Sequence, residues 1–460
     1  MPYGRRDFLK ASAAAAAGSL AAAPPKPPNI LFLFPDQLRH DFVEPSSGVP
    51  VRTPNIRRLA AEGVRFTHAI TPAPLCAPAR ACLASGLEYD RCRVPTNAQN
   101  YPLDQPTFYQ LLRNSGYHVC GCGKFDLHKP ELDWGVDGQR MIRDWGFSAG
   151  IDNEGKHDAT RAYTRAGNKP RGPFMAYLDK IGLAHTHVAD YEKRKGHGAT
   201  FPTPLSDEAY GDNWIARNGL ALLDAAPKDQ PWFLQVNFNG PHDPWDITAS
   251  MEKRWRGVKF PQPVRNTQLT PENHVLVRQN YAAMIENIDL RIGEIIDKVK
   301  QRGEFANTLI AFSSDHGEML GDHNLWAKRH PYHGSAGVPL VLSGPAVRRG
   351  LTISAPAATL DLTATFLDYA GVQPPPDIDS RSLRPVLSGR ASSVRPHALS
   401  GMDAWRLVME DNFKYVRTTG KEPLLFDLRN DPGETVNLAP GSPQLAARLE
   451  KLLPSSKGAQ

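Results

Sequence analysis

Short unbroken apolar runs, each closed by a charged or titratable residue, set the rhythm of this chain. Asn29 to Phe34 has the continuous hydrophobicity of a strand buried on both faces and runs into Pro35-Asp36-Gln37. Thr53 to Gly63 predicts a helix, with a cap, a proline at the first helical position and a glycine stop. Val64 to Ala69 predicts a short strand. It leads into Pro74 to Gly86, where Cys76 stands at the mouth of a small-residue helix. Pro78 falls in its first turn, where proline is tolerated, and Gly86 where such a helix stops. Pro106 to Ser115 predicts a helix, and Tyr117 to Cys120 a strand ending in Gly121-Cys122-Gly123-Lys124.

From Asp133 to about Thr203 the pattern turns irregular, which predicts a long insertion of the substrate-loop kind. Its His185, His187 and Glu192 to Lys195 each read singly as solvated surface. Leu205 to Ala225 predicts a helix, and Trp232 to Phe238 a strand running into Asn239-Gly240-Pro241-His242. Thr270-Pro271 opens a long amphipathic helix carrying Tyr281, Ile285, Ile288, Ile292 and Ile295, closed at Gly303. Thr308 to Phe312 is a strand before Asp315-His316, Val338 to Ser343 another, and Ala357 to Ala370 a helix stopped by Gly371. After the Pro-rich Gln373 to Pro376, Leu407 to Met409 and Phe413 to Val416 predict a hairpin. Leu424 to Leu428 adds a strand and Pro443 to Leu453 a last helix.

This alternation predicts an α/β fold, a large and mostly parallel sheet flanked by helices, over residues 24–372. A smaller C-terminal α+β subdomain is expected over 373–460. Asp36, Lys124, His242 and Asp315 each follow the carboxyl end of a predicted strand, where open α/β sheets bind their ligands.

Composition changes this picture little. A chain of 460 residues, 22% charged and 41% hydrophobic, suits one large domain and a smaller one. A net charge of +6 permits anionic ligands without naming one, and no nucleic-acid partner is expected. Five cysteines are too few and too irregular for a disulfide framework, and Cys120-Gly121-Cys122 lacks the two-residue spacer of common zinc and redox motifs. Arg5-Arg6-Asp7-Phe8-Leu9-Lys10 before an Ala-rich run to Ala23 resembles a twin-arginine export signal over 1–23, cleaved among Ala21 to Ala23. The run is too short to span a bilayer comfortably and nothing else reads as transmembrane. A periplasmic or secreted protein with no stable membrane insertion is therefore expected.

Cys76 and Arg80 are four apart, so a helical turn sets the guanidinium beside the sulfur or whatever replaces it. The helix N-terminus adds positive potential there. Both suit a nucleophile that handles an anionic group, although a buried, inert thiol would fit these five residues too. The run Cys76-Ala77-Pro78-Ala79-Arg80, followed by small residues to Gly86, resembles the signature of the type I sulfatases of the alkaline-phosphatase-like superfamily. The resemblance implies that a formylglycine-generating maturase converts Cys76 to formylglycine and that Arg80 holds the aldehyde hydrate.

Other fragments match in order. Asn29 to Asp36-Gln37 resembles the family's opening strand and first metal pair, and Asp315-His316 its second. Lys124, His242 and Lys328 match sulfate-contacting positions, and Phe426 to Leu438 resembles the family's tail. The resemblance thus implies a metal held by Asp36, Gln37, Cys76, Asp315 and His316. It covers nearly all of the mature chain. There are departures. Gly123-Lys124-Phe125-Asp126-Leu127-His128 stands where the family has Gly-Lys-x-His, which leaves Asp126 and His128 as candidate substrate contacts. His333 to Gly337 replaces the usual Glu-x-Ser-x-Arg.

The oxygen donors suit Ca²⁺, whereas His316 leaves Mg²⁺, Mn²⁺ or Zn²⁺ open. A hydrated aldehyde has one hydroxyl to attack sulfur and a second whose collapse releases sulfate. Lys124, Lys328, Arg80 and the metal would offset charge on the transferring group, and His242 or Lys328 would protonate the departing oxygen. The expectation is an exported sulfatase acting on a sulfated small molecule or glycan. The alternatives are a phosphate or phosphonate monoester hydrolase of the same superfamily and a non-catalytic binder of sulfated glycans. No second carboxylate–histidine cluster is evident in the sequence, which favours the singly charged sulfate ester over the phosphate.

Overall fold

The apolar runs become the strands of one large sheet. In the computed structural model, which describes residues 26–44 and 47–454, the strands in chain order are β1 (Asn29–Leu33), β2 (Val64–Phe66), β3 (Ala69–Ile70), β4 (His118–Gly123), β5 (Ala149–Asp152), β6 (Trp232–Asn237) and β7 (Thr308–Ser313). They continue as β8 (Leu340–Ser343), β9 (Leu351–Ile353), β10 (Ala357–Ala358), β11 (Ala398–Met402), β12 (Trp405–Glu410), β13 (Phe413–Thr418) and β14 (Leu424–Asp427). The export-signal segment 1–23 lies outside the described residues.

The main sheet runs β5-β4-β6-β1-β7-β8-β2-β9. It is parallel from β5 to β7. β8 is antiparallel to both β7 and β2, and β9 pairs parallel with β2. β1 lies at its centre, with Leu31 opposite Leu234 on one side and Ile310 on the other. Successive side chains of a strand point to opposite faces, so Leu31 and Leu33 enter one core and Ile30 and Phe32 the other. Helices Gly211–Ala225 and Pro271–Gln301 cover the first face, the latter through Ile285, Ile288, Ile292 and Ile295. Helices Cys76–Ser85, Phe108–Asn114 and Asp361–Tyr369 cover the second. Each Leu, Ile or Phe so buried contributes on the order of 1.5–3 kcal/mol.

Three expectations need correction. The stretch 133–203 is not an irregular insertion. It holds β5 and helices Lys156–Arg165, Pro173–Lys180 and Ala184–Lys193, and it buries Tyr163, Phe174, Met175 and Leu178 in the core. These elements are short and broken by Gly and charged residues, so no window is long enough to show a period. His187 and Arg194, read as surface, are buried, the histidine ring lying against Phe174 and Tyr191 and the arginine paired with Asp190. The helix expected from Ala357 begins at Asp361, because Ala357 and Ala358 first pair with Ala69 and Ile70.

The C-terminal part is an antiparallel sheet, β11-β12-β13-β14, with helix Pro443–Glu450 packed on it through Leu449. Its other face packs Leu407, Met409, Val416 and Phe426 against Ile70, Leu75 and Leu360. Leu75 immediately precedes Cys76, so this sheet supports the helix mouth directly.

Candidate active site

Strand ends deliver the site. At the end of β1 the Asp36 backbone N–H donates to Phe238 O and Gly240 O, both at 3.1 Å, which draws the β6 exit loop alongside. Gln37 takes a left-handed φ of 65°, and its N–H donates to Asp315 Oδ1 at 2.9 Å. At the end of β4, Gly123 has φ +99°, and a Cβ there would meet Asn237 O at 1.8 Å. Only glycine lets the chain turn into Lys124 at this point. Helix Cys76–Ser85 starts from an extended Leu75 and ends at a left-handed Gly86, whose N–H donates to Cys82 O.

Cys76, Asp36, Asp315 and His316 converge, their ligand-type atoms all within 4.8 Å of one another. Cys76 Sγ lies 3.3 Å from His316 Nε2. His316 Nδ1 is 3.0 Å from Gly317 O. A carbonyl only accepts, so Nδ1 carries a proton and Nε2 is turned toward Cys76 and the two aspartates. Arg80 Nε donates to Asp315 Oδ2 at 3.0 Å, Nη2 ion-pairs with the same oxygen at 2.9 Å, and Nη1 reaches the Lys124 carbonyl. Asp36 Oδ2 pairs with Lys124 Nζ, while Asp36 Oδ1 is buried with no hydrogen-bond partner among the described residues. That orphaned oxygen, beside a second carboxylate and an imidazole, fits a divalent cation.

The electrostatics follow from burial against charge. Burial pushes the Cys76 thiol up, but the Lys124 and Lys328 ammonium groups outweigh it and hold it well below its usual range. Burial likewise opposes ionised Asp36, yet Lys124 and His242 hold it well below the ordinary carboxylate range. Asp315 moves the other way, raised by burial and then by the neighbouring Asp36 charge. Burial works against charged His316, and Asp315 and Cys76 reverse that and raise it.

Above this centre opens a cleft of about 460 Å³ lined by Cys76, Lys124, His242 and Lys328. Lys328 Nζ lies 2.6 Å from His242 Nε2 and also meets Gln37 Oε1. Gln37 Nε2 is turned to Glu318 and, at 3.3 Å, to Asp243 Oδ1. Asp126 is buried below, ion-paired to Lys124 at 3.1 Å and to Lys129 at 2.9 Å. His128 stands apart from the cleft lining, half-buried, its Nε2 without a partner among the described residues. The structure therefore brings together every candidate site residue but His128.

The sequence reading missed several neighbours. Lys156, His157, Asp158 and Arg161, on the helix taken for a loop, line the cleft with Lys129. Asp243, beside His242, accepts from His157 Nε2 at 2.7 Å. Its carboxyl is held well below the usual range, burial being outweighed by His242 and His157. His157, His242 and Asp243 form a second group of ligand-type atoms within 4.8 Å, which corrects the expectation that no second carboxylate–histidine cluster exists. Adjacency to His242 was the available signal for Asp243. His157 had none.

Fold and site define a hydrolytic enzyme of the alkaline-phosphatase-like class, a large mostly parallel sheet with its polar centre at the strand ends. Residues 28–372 match the family model described as Sulfatase, and residues 321–457 that described as N-sulphoglucosamine sulphohydrolase, C-terminal. The chain belongs to the sulfatase family and is a sulfuric ester hydrolase. It is 30% identical over 446 residues to a choline-sulfatase of Rhizobium meliloti, covering 90% of this chain and 82% of that one. It is 28% identical to an N-acetylglucosamine-6-O-sulfatase of Bacteroides thetaiotaomicron, over 80% of this chain and 72% of the relative. A solved phosphonate monoester hydrolase of Agrobacterium radiobacter shares the fold at TM-score 0.77 and 24% identity, covering 92% of this chain and 94% of that one. Among the described residues no helix is long and apolar enough to cross a membrane.

Proposed function

We propose that this chain is an exported sulfatase that hydrolyses sulfate monoesters of a sulfated small molecule or glycan. Its nucleophile is formylglycine made from Cys76 by a maturase. Asp36, Asp315, His316 and the side chain at 76, with Gln37 beside them, hold one divalent cation, Ca²⁺ or else Mg²⁺ or Mn²⁺. Residues 24–372 form the catalytic unit and 373–460 a C-terminal subdomain, behind a leader at 1–23. The carrying observation is the position of Cys76. It lies at a helix N-terminus, clustered with Asp36, Asp315 and His316, and lines one cleft with Lys124, His242 and Lys328.

The hydrated aldehyde would supply the attacking and the releasing hydroxyl, and the cation Lewis-acid polarisation. Lys124 and Lys328 present ammonium groups to the oxygens of the transferring group, where charge develops. Arg80 braces Asp315 and the Lys124 backbone from below. Lys328 Nζ and His242 Nε2 face each other, and His242 Nδ1 carries a proton turned to the Asp243 carbonyl. The proton for the departing oxygen stands on this Lys328–His242 pair.

Protein made with a maturase is expected to show an aldehyde at position 76 by intact-peptide mass spectrometry, and Cys76→Ala to lose turnover while keeping its fold. Full activity with an unmodified thiol would sink this mechanism. A second reading, a phosphate or phosphonate monoester hydrolase, draws on the His157, His242 and Asp243 group at the rim. Comparing kcat/KM for matched aryl sulfate, phosphate and phosphonate esters separates the two, and a preference for either phosphorus ester moves the assignment. Export is tested by Arg5→Lys with Arg6→Lys, which should hold the precursor in the cytoplasm. Unchanged secretion points to another route.

A further inference from the structure

Lys129 and Arg161 share a single carboxylate. Asp158 accepts from Lys129 Nζ at 2.6 Å and from the Arg161 guanidinium. Lys129 also reaches Asp126, which Lys124 claims as well. Lys124, Lys129 and Arg161 thus meet three carboxylates, Asp36, Asp126 and Asp158, and of these Asp36 also belongs to the Cys76 centre. Across the cleft, Lys328 rests on Gln37 and His242, neither of them an acid.

Gly155 makes the arrangement possible. A Cβ there would meet Lys124 Cε at 2.9 Å, so helix Lys156–Arg165 starts hard against Lys124. Asp158 and Arg161, three apart, then share the helix face that lines the cleft. Arg161 stays 48% exposed and spends one terminal nitrogen on Asp158, which leaves a fork for a further oxyanion. Among the described residues no Phe, Tyr or Trp lines this cleft. A quaternary ammonium or aryl group would seek an aromatic face, whereas the exposed Arg161 fork and Lys328, which rests on no acid, suit a negative one.

We propose that the wall formed by Lys129, Asp158 and Arg161 is a subsite for a second anionic group, a carboxylate or a further sulfate, carried on the alcohol portion of the substrate. The preferred ester then bears at least two negative charges. This rests on the sulfate-ester reading of the Cys76 site.

The test is calorimetric titration of the full-length Cys76→Ala chain, which cannot turn the ligands over. It uses two sugars that differ at one substituent, D-glucosamine-2-N,6-O-disulfate and N-acetylglucosamine 6-sulfate. At about 50 mM salt, where screening is modest, the disulfate binds about tenfold more tightly, the return on one charge-assisted hydrogen bond. Adding Arg161→Ala shrinks that advantage to about twofold, and Arg161→Lys partly restores it. Equal affinity of the two sugars, binding of neither, or an advantage untouched by Arg161→Ala overturns the subsite. Turnover of 4-nitrophenyl sulfate by the unsubstituted, matured chain is read separately. Its loss alongside a retained disulfate preference overturns the sulfatase reading and leaves the anion subsite standing.

Discussion

Asp36 gives one carboxylate oxygen to Lys124 and leaves the other buried without a partner. Losing hydrogen bonds at a charged, buried group costs about 1.5–3 kcal/mol, a penalty that a cation bridging Asp36, Asp315 and His316 would remove. Asp36→Asn and Asp315→Asn should therefore each weaken metal binding by at least ~100-fold. Elemental analysis should find the ion lost, and strong chelation of the parent chain should abolish turnover and lower its melting temperature. Unchanged metal content and activity in both variants would remove the metal from the account. Asp36, Lys124, His242 and Asp315, which meet here, were marked in the sequence by their places at strand ends. His128 was marked only by the departure from Gly-Lys-x-His, and it lies outside the cleft lining.

Helix Pro173–Lys180 shows how a short element is held. Its N-cap is Gly172, which offers no side chain, and Glu154 substitutes by accepting from the Phe174 and Met175 N–H groups, each at 3.2 Å. Burial pushes the Glu154 carboxyl up to about 7, against the hydrogen bonds that favour its charge. An acid raised on folding holds its proton in the native state after the unfolded chain has lost it. Its contribution to stability is thus full below the ordinary glutamate range near 4.3, declines as pH rises, and is spent above about 7. The amplitude is on the order of 3 kcal/mol. Glu154→Gln removes this slope, so the parent chain should lose stability relative to the variant between pH 5 and 8, read as denaturation midpoints. A difference independent of pH would show that Glu154 is already ionised at pH 5. Such capping from a distant residue is invisible to periodicity, which is one reason the 133–203 stretch read as irregular.

At the scale of the molecule, the C-terminal sheet holds the loop that carries Lys328. Trp405 Nε1 donates to Arg329 O at 3.0 Å, Arg329 pairs with Asp403, and Lys414 Nζ donates to Pro331 O at 2.7 Å. Glu434 receives both the Lys414 ammonium and, at 2.6 Å, the His333 N–H. Lys414 and Glu434 are both buried, and breaking a buried pair by removing one charge costs about 3–5 kcal/mol. Glu434→Gln should lower the melting temperature by several degrees and reduce kcat/KM through a displaced Lys328, although neither residue touches the cleft. An unaltered melting temperature would show that the pair does not tie the two parts together.

Local sequence by itself determined much of this. Short unbroken apolar runs of five or six residues, bounded by turn residues and too short for a helix, specify strands buried on both faces, as at β1 and β7. Cys76, Pro78 and Gly86 specify the start and stop of their helix through backbone geometry alone. Asp36, Lys124, His242 and Asp315 mark strand ends, where a parallel sheet turns its loops to one side. Tertiary structure alone decided which other side chains share the cleft. His157 faces Asp243 across 86 positions of sequence, and the Asp36 oxygen is left without a partner among the described residues only once β4, β6, β1 and β7 lie side by side. The packing of Lys414 and Glu434 against the Lys328 loop was equally beyond the local pattern. Burial, charge sharing and unmet hydrogen bonds are properties of neighbours in space, and contacts hundreds of residues apart leave no period in the chain.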